Sequence, residues 1–376
     1  MLHLYIIFLL TFFGCMNHTS SVIPPTVVIK AEDCEKAHKL SDIVQEYQLI
    51  PLETTDSCLI GNVGKVIFDT TTFYLNDATS ELVYHFDRQG KLLNSIGKRG
   101  RGPFEFLHLD DYCISKNHNI IILDGSSKKI IIYTSCGNPI TQQDLPFFAD
   151  SFEILNDSVF VFNGAAYEGQ VILWDYRNKK RINSYLKYDP RYSTRPLKSF
   201  TRCNKEVLWQ RGFEQMLYHV TEQELIPARY IDFQQHSYTG KLERTPQGIY
   251  FLRPDVADMS RYYENNRYIH FIFECNALDE MPFLVYHFKK SGKTIILNNN
   301  HYEDDLTFYH TTPSAVSAFT TSGDPVVVLY TSLWINNLIN KSGEFAINAF
   351  EELKIKLAKI TETDNPVLVV YKLKDV

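Results

Sequence analysis

The chain repeats itself, and that repeat limits the folds open to it more than any other feature. An offset of 47 residues carries Asp77 onto Asp124, Tyr74-Leu75 onto Ile121-Ile122, Val83-Tyr84 onto Ile130-Ile131, Phe86 onto Tyr133 and Gly90 onto Gly137. In each copy, apolar and aromatic runs alternate with turn residues, which marks four short strands. They are Val63–Phe68, Thr72–Asn76, Leu82–Asp87 and Leu92–Ile96 in the first copy, then Leu109–Ser115, Asn119–Leu123, Lys129–Thr134 and Pro139–Leu145 in the second. Four antiparallel strands in a little under fifty residues, recurring head to tail, describe a propeller blade. A single blade cannot bury both faces, so blades stack until a ring closes.

Composition agrees with an all-β chain: 14% of residues are aromatic, with 25 Phe and 23 Tyr, and β-branched runs are frequent. Weaker copies follow. A third blade runs through Phe152–Ile154, Val159–Phe162, Val171–Trp174 and Arg181–Tyr185, and a fourth through Phe200–Arg202, Glu206–Gln210, Met216–Val220 and Ala228–Phe233. The fifth takes Gly248–Leu252, Tyr268–Glu274, Phe283–Lys289 and Thr294–Leu297. The last combines Ala315–Phe319, Pro325–Tyr330 and Pro366–Leu373, interrupted by an amphipathic helix with Ala346, Phe350, Leu353, Leu357 and Ile360 on one face. That blade lacks one strand, and Val44–Leu52 supplies it, so the two ends of the propeller close the ring and remove two open sheet edges. Six blades fit best, with seven as the runner-up.

The first residues point to export. The apolar run Leu4–Leu10 is too short to span a membrane and ends in Gly14-Cys15, the pattern of a lipoprotein leader in which residues 1–14 are removed and Cys15 carries the lipid. An ordinary cleaved leader is the alternative. Residues 15–40 then read as a linker and residues 41–376 as the propeller. The net charge of -6, with both signs dispersed, excludes a nucleic-acid footprint. The remaining cysteines and the histidines show no metal-ligand spacing, and no calcium loop is present, so no metal or cofactor is expected.

Particular motifs resemble the six-bladed β-propeller lipoproteins of Bacteroidota, which are themselves similar to NHL-type and TolB-type propellers. These motifs are Leu49-Ile50-Pro51-Leu52-Glu53-Thr54, the Phe86-Asp87-x-x-Gly90-Lys91 turn, Gly97-x-x-Gly100-Arg101-Gly102-Pro103-x-Glu105-Phe106, and Asp364-Asn365-Pro366-Val367-Leu368. The resemblance implies export, lipid anchoring and a six-bladed ring. It implies no reaction.

Candidate sites lie on the links between blades. In Gly97–Phe106, glycines expose backbone amides and Arg99 and Arg101 offer guanidiniums to a carboxylate, sulfate or phosphate; the competing reading is an inter-blade turn in which Arg101 and Glu105 make a structural contact. Glu105, Asp110 and Asp111 stand near one channel mouth and could supply the carboxylate pair of a hydrolase or lyase. Arg191, Tyr192 and Arg195, with Tyr262 and Tyr263, read as a basic and aromatic rim able to stack sugars or peptides, or as solvated loop. Asp77 and Asp124 read as hairpin-turn residues. The expectation is a monomeric, envelope-anchored binding or scaffold module for a glycan, a peptide or an envelope protein, with the enzyme as the alternative.

Overall fold

Six four-stranded antiparallel sheets follow one another around a ring in the computed structural model, which describes residues 24–164, 169–187, 189–192, 200–203, 205–298, 300–307, 316–331 and 360–376. From the channel outward, blade 1 is Val63–Phe68, Thr72–Asp77, Leu82–Asp87 and Leu92–Ile96, and blade 2 is Asp111–Ile114, Ile120–Asp124, Lys129–Tyr133 and Pro139–Asp144. Blade 3 is Ala149–Ile154, Val159–Gly164, Val171–Asp175 and Lys180–Tyr185; blade 4 is Phe200–Cys203, Glu206–Gln210, Met216–Val220 and Leu225–Asp232. Blade 5 is Asp258–Glu264, Tyr268–Cys275, Asp279–Phe288 and Thr294–Asn298. Blade 6 takes Val316–Phe319, Pro325–Leu329 and Val367–Leu373, and its outer strand is Val44–Pro51, paired from Val367↔Pro51 to Leu373↔Val44.

The middle strands of each blade are buried on both faces, because each is covered by a neighbouring blade on either side. Ile120–Asp124 and Val171–Asp175 are buried at every residue, whereas the outer strand Pro139–Asp144 is almost wholly exposed. The links between blades add an aromatic wedge: Phe106 packs between blades 1 and 2, Phe147 between blades 2 and 3, and Phe233 against Phe271 and Phe273 of blade 5.

Closure rests on one side chain as well as on strand pairing. Asn365, buried at the entry to the last strand, accepts a hydrogen bond from Ile60 N–H at 2.8 Å and donates to the carbonyls of Glu53 and Cys58, both at 2.8 Å. It therefore fixes the link that carries the chain from the closing strand into blade 1.

Two expectations need correction. Residues 24–40 are not a free linker over their described length. Thr26–Val28 adds a parallel fifth strand to the outer edge of blade 4, a helical turn Ala31–Cys34 buries Cys34, and His38–Lys39 pairs with Tyr302–Glu303. Val27 and Ile29 are buried in the blade 4–5 core, so this belt has an apolar face that a tether does not need. The second correction concerns blade 5, whose inner strand is Asp258–Glu264 and not Gly248–Leu252. Tyr250–Phe251 instead pairs with Glu243–Arg244 in a small exposed hairpin within the link 233–257. The helix expected around residues 346–360 lies outside the described residues except for Ile360, which packs against the blade 5–6 core.

Candidate functional site

Every inner strand starts on the face of the ring where the links lie. The link between blades 2 and 3 is only residues 145–148, while residues 186–199, 233–257 and 299–315 join the later blades. Below that face the six inner strands enclose a cavity of about 630 Å³. Its volume falls within the range of about 300–1,000 Å³ usual for small-ligand sites.

Local irregularities bring charge to this cavity. Register shifts interrupt the pairing of the inner strands at Val63/Val66 in blade 1, Ala149/Ser151 in blade 3, Ser260/Tyr263 in blade 5 and Val316/Ala318 in blade 6. The first three of these bulges each contain a charged residue that lines the cavity: Lys65, Asp150 and Arg261. A bulge places two residues opposite one and re-aims side chains, which is how a strand with one covered face can present a charge to the axis. In blade 1 the irregular pairing is supported by Asn76, whose Oδ1 accepts from Lys65 N–H at 2.6 Å. In blade 5 Arg261 sits at φ 51°, a left-handed conformation that strains a non-glycine residue.

The walls differ in chemistry. Blades 2 and 3 contribute Asp110, Asp111, Asp150 and Glu153; blades 4 and 5 contribute Arg202 and Arg261; Phe200, Tyr263 and Phe319 form an aromatic side. Lys65 Nζ bridges to Asp111 Oδ1 at 2.9 Å and donates to the Tyr112 carbonyl at 2.8 Å. Burial opposes its charge, but Asp111 more than compensates and its pKa stands above the ordinary lysine value. The other Asp111 oxygen accepts from Phe152 N–H at 3.1 Å. Glu153 pairs with Arg202 at 2.9 Å. Asp150 is held by Asn163 Nδ2 at 2.8 and 3.1 Å and by Ser151 Oγ at 3.0 Å, and Asn163 is itself fixed by Trp209 Nε1 at 3.0 Å. Burial raises the Asp150 pKa against these hydrogen bonds, and the Asp111 charge adds to the rise.

On the facing side, Tyr263 stacks on Phe319 with ring centroids 3.5 Å apart, and His270 packs behind them, 5.5 Å from Phe319. His270 is fully buried with Nδ1 2.9 Å from the Val285 carbonyl, while its Nε2 has no partner among the described residues. Burial pushes its pKa down to about 3, the Val285 bond opposes this, and the nearby Arg261 charge adds to the depression.

The residues singled out in the sequence divide into three groups. Asp110 and Asp111 do line the cavity. The glycine link does not: Arg99 pairs with Glu81 at 3.2 Å, and Glu105 pairs with Lys98 at 2.7 Å while accepting from Gly102 N–H at 2.7 Å. The Lys98 bond, with the Gly102 amide, holds the Glu105 carboxyl below the usual range. Arg101 is exposed outside the cavity. A Cβ on Gly97 would lie 2.7 Å from the buried Phe106 ring, and one on Gly100 would lie 2.1 Å from Glu105, so these glycines let the link fold onto itself. The third group is the rim. Arg191 makes a two-pronged pair with Asp189 at 2.6–3.0 Å, and Tyr192 lies under the Arg211 guanidinium at 4.1 Å with its hydroxyl 3.1 Å from that of Tyr238. These contacts tie two links together. Arg195 lies outside the described residues. Tyr262 and Tyr263 belong to the inner strand of blade 5 and not to a rim loop; Tyr262 donates to the buried Glu264 at 2.6 Å, and only Tyr263 of the two stacks on a second cavity-lining ring.

Sequence reading missed Lys65, Asp150, Glu153, Arg202 and Phe319, and placed Arg261 with Tyr262 and Tyr263 on a rim loop instead of the inner strand of blade 5. The available signal was the charged residue interrupting each inner-strand segment. Asp77 and Asp124 do cap hairpin turns, through Ser80 N–H and Ser127 N–H at 2.9 Å, but each also receives an amide from the incoming link, Asn62 and Leu107 respectively.

The sequence matches the profile of a domain of unknown function, DUF4934, over residues 24–372. Among solved structures, the fold is similar to that of a Bacteroides fragilis NCTC 9343 protein named as exported, with 18% identity, 93% of this chain and 99% of that chain covered, and a TM-score of 0.77. It is also similar to a member of the duf4221 family from Bacteroides vulgatus ATCC 8482, with 10% identity, 91% and 100% coverage and a TM-score of 0.52. No curated protein shows significant similarity to the chain.

Proposed function

Because this chain belongs to the DUF4934 family, whose function is undefined, its role must be argued from its own site, and we propose that it is an extracytoplasmic binding module that takes its ligand in the channel mouth. The observation that carries this reading is that three bulged inner strands bring Lys65, Asp150 and Arg261 to one cavity beside the Tyr263–Phe319 stack. Charged side chains of both signs gathered on one concave surface beside an aromatic stack are what such a site offers a ligand. The similar Bacteroides fragilis propeller is named as exported, which supports an extracytoplasmic location. Cys15 is the lipid anchor that holds the module at the cell envelope; Cys15→Ser releases it from the membrane fraction, and unchanged fractionation contradicts the anchor.

The ligand is a small peptide-like or glycan-like solute, and the module works as a monomer. A thermal-shift screen of such compounds tests the site through two double variants. A shift abolished in Asp111→Asn/Asp150→Asn and kept in Arg99→Ala/Arg101→Ala supports the channel; the reverse pattern returns the site to the glycine link.

A second reading has one observation of its own. Asp111, paired with Lys65, and Asp150, raised by burial, are neighbouring carboxylates in different electrostatic settings, the condition that lets one act as acid and the other as base in a hydrolase or lyase. Turnover of a bound compound that Asp150→Asn removes without weakening binding distinguishes the enzyme from the binder.

A further inference from the structure

The face of the ring away from the links has a charge pattern of its own. There the outer strands begin, each after a corner turn from the third strand of its blade. In blade 3 that turn is Arg177-Asn178-Lys179-Lys180-Arg181, in which all four cations are exposed. In blade 5 the turn exposes Lys290 and Lys293, while Lys289 pairs with the buried Glu264. The nearby carboxylates are largely engaged: Asp175 accepts from the amides of its own turn, Arg177 at 3.1 Å and Asn178 at 3.0 Å, and Asp157 pairs with Lys116. Blade 4, between the two, has Glu222 and Glu224 on its turn, with Glu222 bonded to Asn156 at 2.7 Å. Just past the turns, Ile182 of blade 3 and Ile226 of blade 4 are exposed. In a chain of net charge -6, so basic a corner is a local feature.

The N-terminal belt points the same way. Thr26–Val28 lies parallel to the outer strand of blade 4, and that strand runs towards the link face. The chain therefore enters the belt from the side opposite the links, along the edge of blade 4 and between the basic turns of blades 3 and 5. Pro24 and Pro25 favour an extended backbone there, and the Pro25 carbonyl already accepts from Tyr230 N–H at 3.1 Å. Only residues 16–25 separate Thr26 from Cys15, a span of at most about 40 Å. Thr26 pairs with Tyr230, roughly 17 Å along the strand from its first residue, Leu225. From that direction, a lipid on Cys15 holds the membrane within about 20 Å of the corner turns.

We propose that this corner, formed by blades 3 to 5 on the face opposite the links, docks on the anionic phospholipid headgroups of the membrane that holds Cys15. The inference rests on Cys15 being the anchor for the direction of approach, and on the exposed cations for its chemistry. Lysine and arginine brought within a Debye length of an anionic bilayer are each attracted to it. The chain as a whole is acidic, so the same surface repels its other faces, and charge selects the corner as well as holding it. Ile182 and Ile226 stand where an apolar side chain enters the headgroup boundary. The tether brings a bilayer close to this corner, which is why a membrane, and not an acidic protein, is its occupant. Docked in this way, the propeller turns its links and channel mouth away from the bilayer, and a solute reaches the cavity from the open compartment.

Co-sedimentation with vesicles at low salt tests this on the full chain carrying Cys15→Ser, which reads the corner without the lipid. The protein binds vesicles of equal parts phosphatidylglycerol and phosphatidylcholine, does not bind phosphatidylcholine alone, and is released as salt rises. Lys179→Gln/Lys180→Gln/Lys290→Gln/Lys293→Gln lowers the partition by about a hundredfold or more, since each cation at an anionic surface is worth roughly fivefold. The control Arg101→Gln/Lys187→Gln/Lys241→Gln/Arg244→Gln makes the same change in net charge on the links and lowers it far less. All eight positions lie outside the core, and the comparison of the two vesicle types is made on the chain with these eight residues intact, so the result does not depend on either variant folding. Equal binding to both vesicle types, no binding to either, or equal losses in the two quadruple variants overturns the docking surface. If Cys15→Ser is released from the membrane fraction of cells while the vesicles show no preference, the anchor stands and the surface fails. If the vesicle preference and its loss in the corner variant hold but Cys15→Ser stays in the membrane fraction, the surface stands and the anchor fails.

Discussion

Replacing Asn365 tests the closure of the ring at a single buried side chain. Asn365 is 4% exposed and its amide satisfies three backbone groups of the link 52–62: Ile60 N–H, Glu53 C=O and Cys58 C=O. In Asn365→Ala these bonds are lost together, each contributing about 0.5–1.5 kcal/mol net, with a further penalty because Ile60 and Cys58 are buried and water does not replace the partner. The expected cost is about 3–4 kcal/mol. Asn365→Asp keeps the acceptor for Ile60 N–H but turns an oxygen toward two carbonyls, so it costs at least as much despite its equal size. Urea unfolding followed by fluorescence is well suited to the measurement, since Trp174 and Trp209 report from blades 3 and 4, away from the closure. Lys116→Ala, which removes an exposed pair with Asp157, is the control and shifts stability by less than about 1 kcal/mol. An Asn365→Ala protein within about 0.5 kcal/mol of the parent, the range of ordinary surface substitutions, refutes the argument, as does Asn365→Asp at parental stability.

Other consequences follow from buried groups. Glu264 has a fully buried side chain bonded to Arg229 at 2.7 Å, Lys289 at 2.6 Å and Tyr262 at 2.6 Å, so Glu264→Gln leaves two cations uncompensated and lowers the urea-derived stability by about 3–5 kcal/mol. Burial opposes the charges of Glu264 and Asp77, yet the Lys289, Tyr262 and Arg229 bonds of the one, and the Asn62, Ser80 and Thr79 amides of the other, depress both pKa values. Their contribution is therefore complete above the unfolded carboxylate range near pH 4 and is lost as pH falls through the depressed values; Asp77→Asn flattens the acid limb of a stability–pH curve if this holds. Phe106→Ala, at a position with no exposure, costs about 3–5 kcal/mol by differential scanning calorimetry, whereas a glycine link serving only ligand capture tolerates it.

The ring was legible where the sequence keeps its period. Blades 1 and 2 alternate regularly between strand and turn, and Val44–Pro51 could be placed in blade 6 because the last blade was short of a strand. Reading failed where local patterns were broken for a purpose. Asp258–Glu264 resembles a loop because the bulge at Arg261 disrupts its alternation, while the apolar Ile249-Tyr250-Phe251 hairpin imitates a strand. The belt from Thr26 to Lys39 has only Val27, Ile29 and Cys34 as buried anchors, too few for a periodic signal. The glycine link drew attention because its glycines do not recur. The structure gives a physical reason: the link 145–148 brings Phe147 to the inter-blade wedge in four residues, whereas residues 97–110 take a longer path to place Phe106 there. Channel residues were hidden for another reason. Lys65, Asp150 and Arg261 come from three blades and meet only because the ring closes.

The claim that the channel mouth, and not the glycine link, receives the ligand is tested most directly by hydrogen–deuterium exchange with and without a bound compound from the thermal-shift screen. The account predicts slowed exchange along the inner strands, in residues 63–66, 111–113, 149–153 and 258–263, with residues 97–106 unchanged. Protection confined to residues 97–106, with the inner strands unaltered, contradicts it.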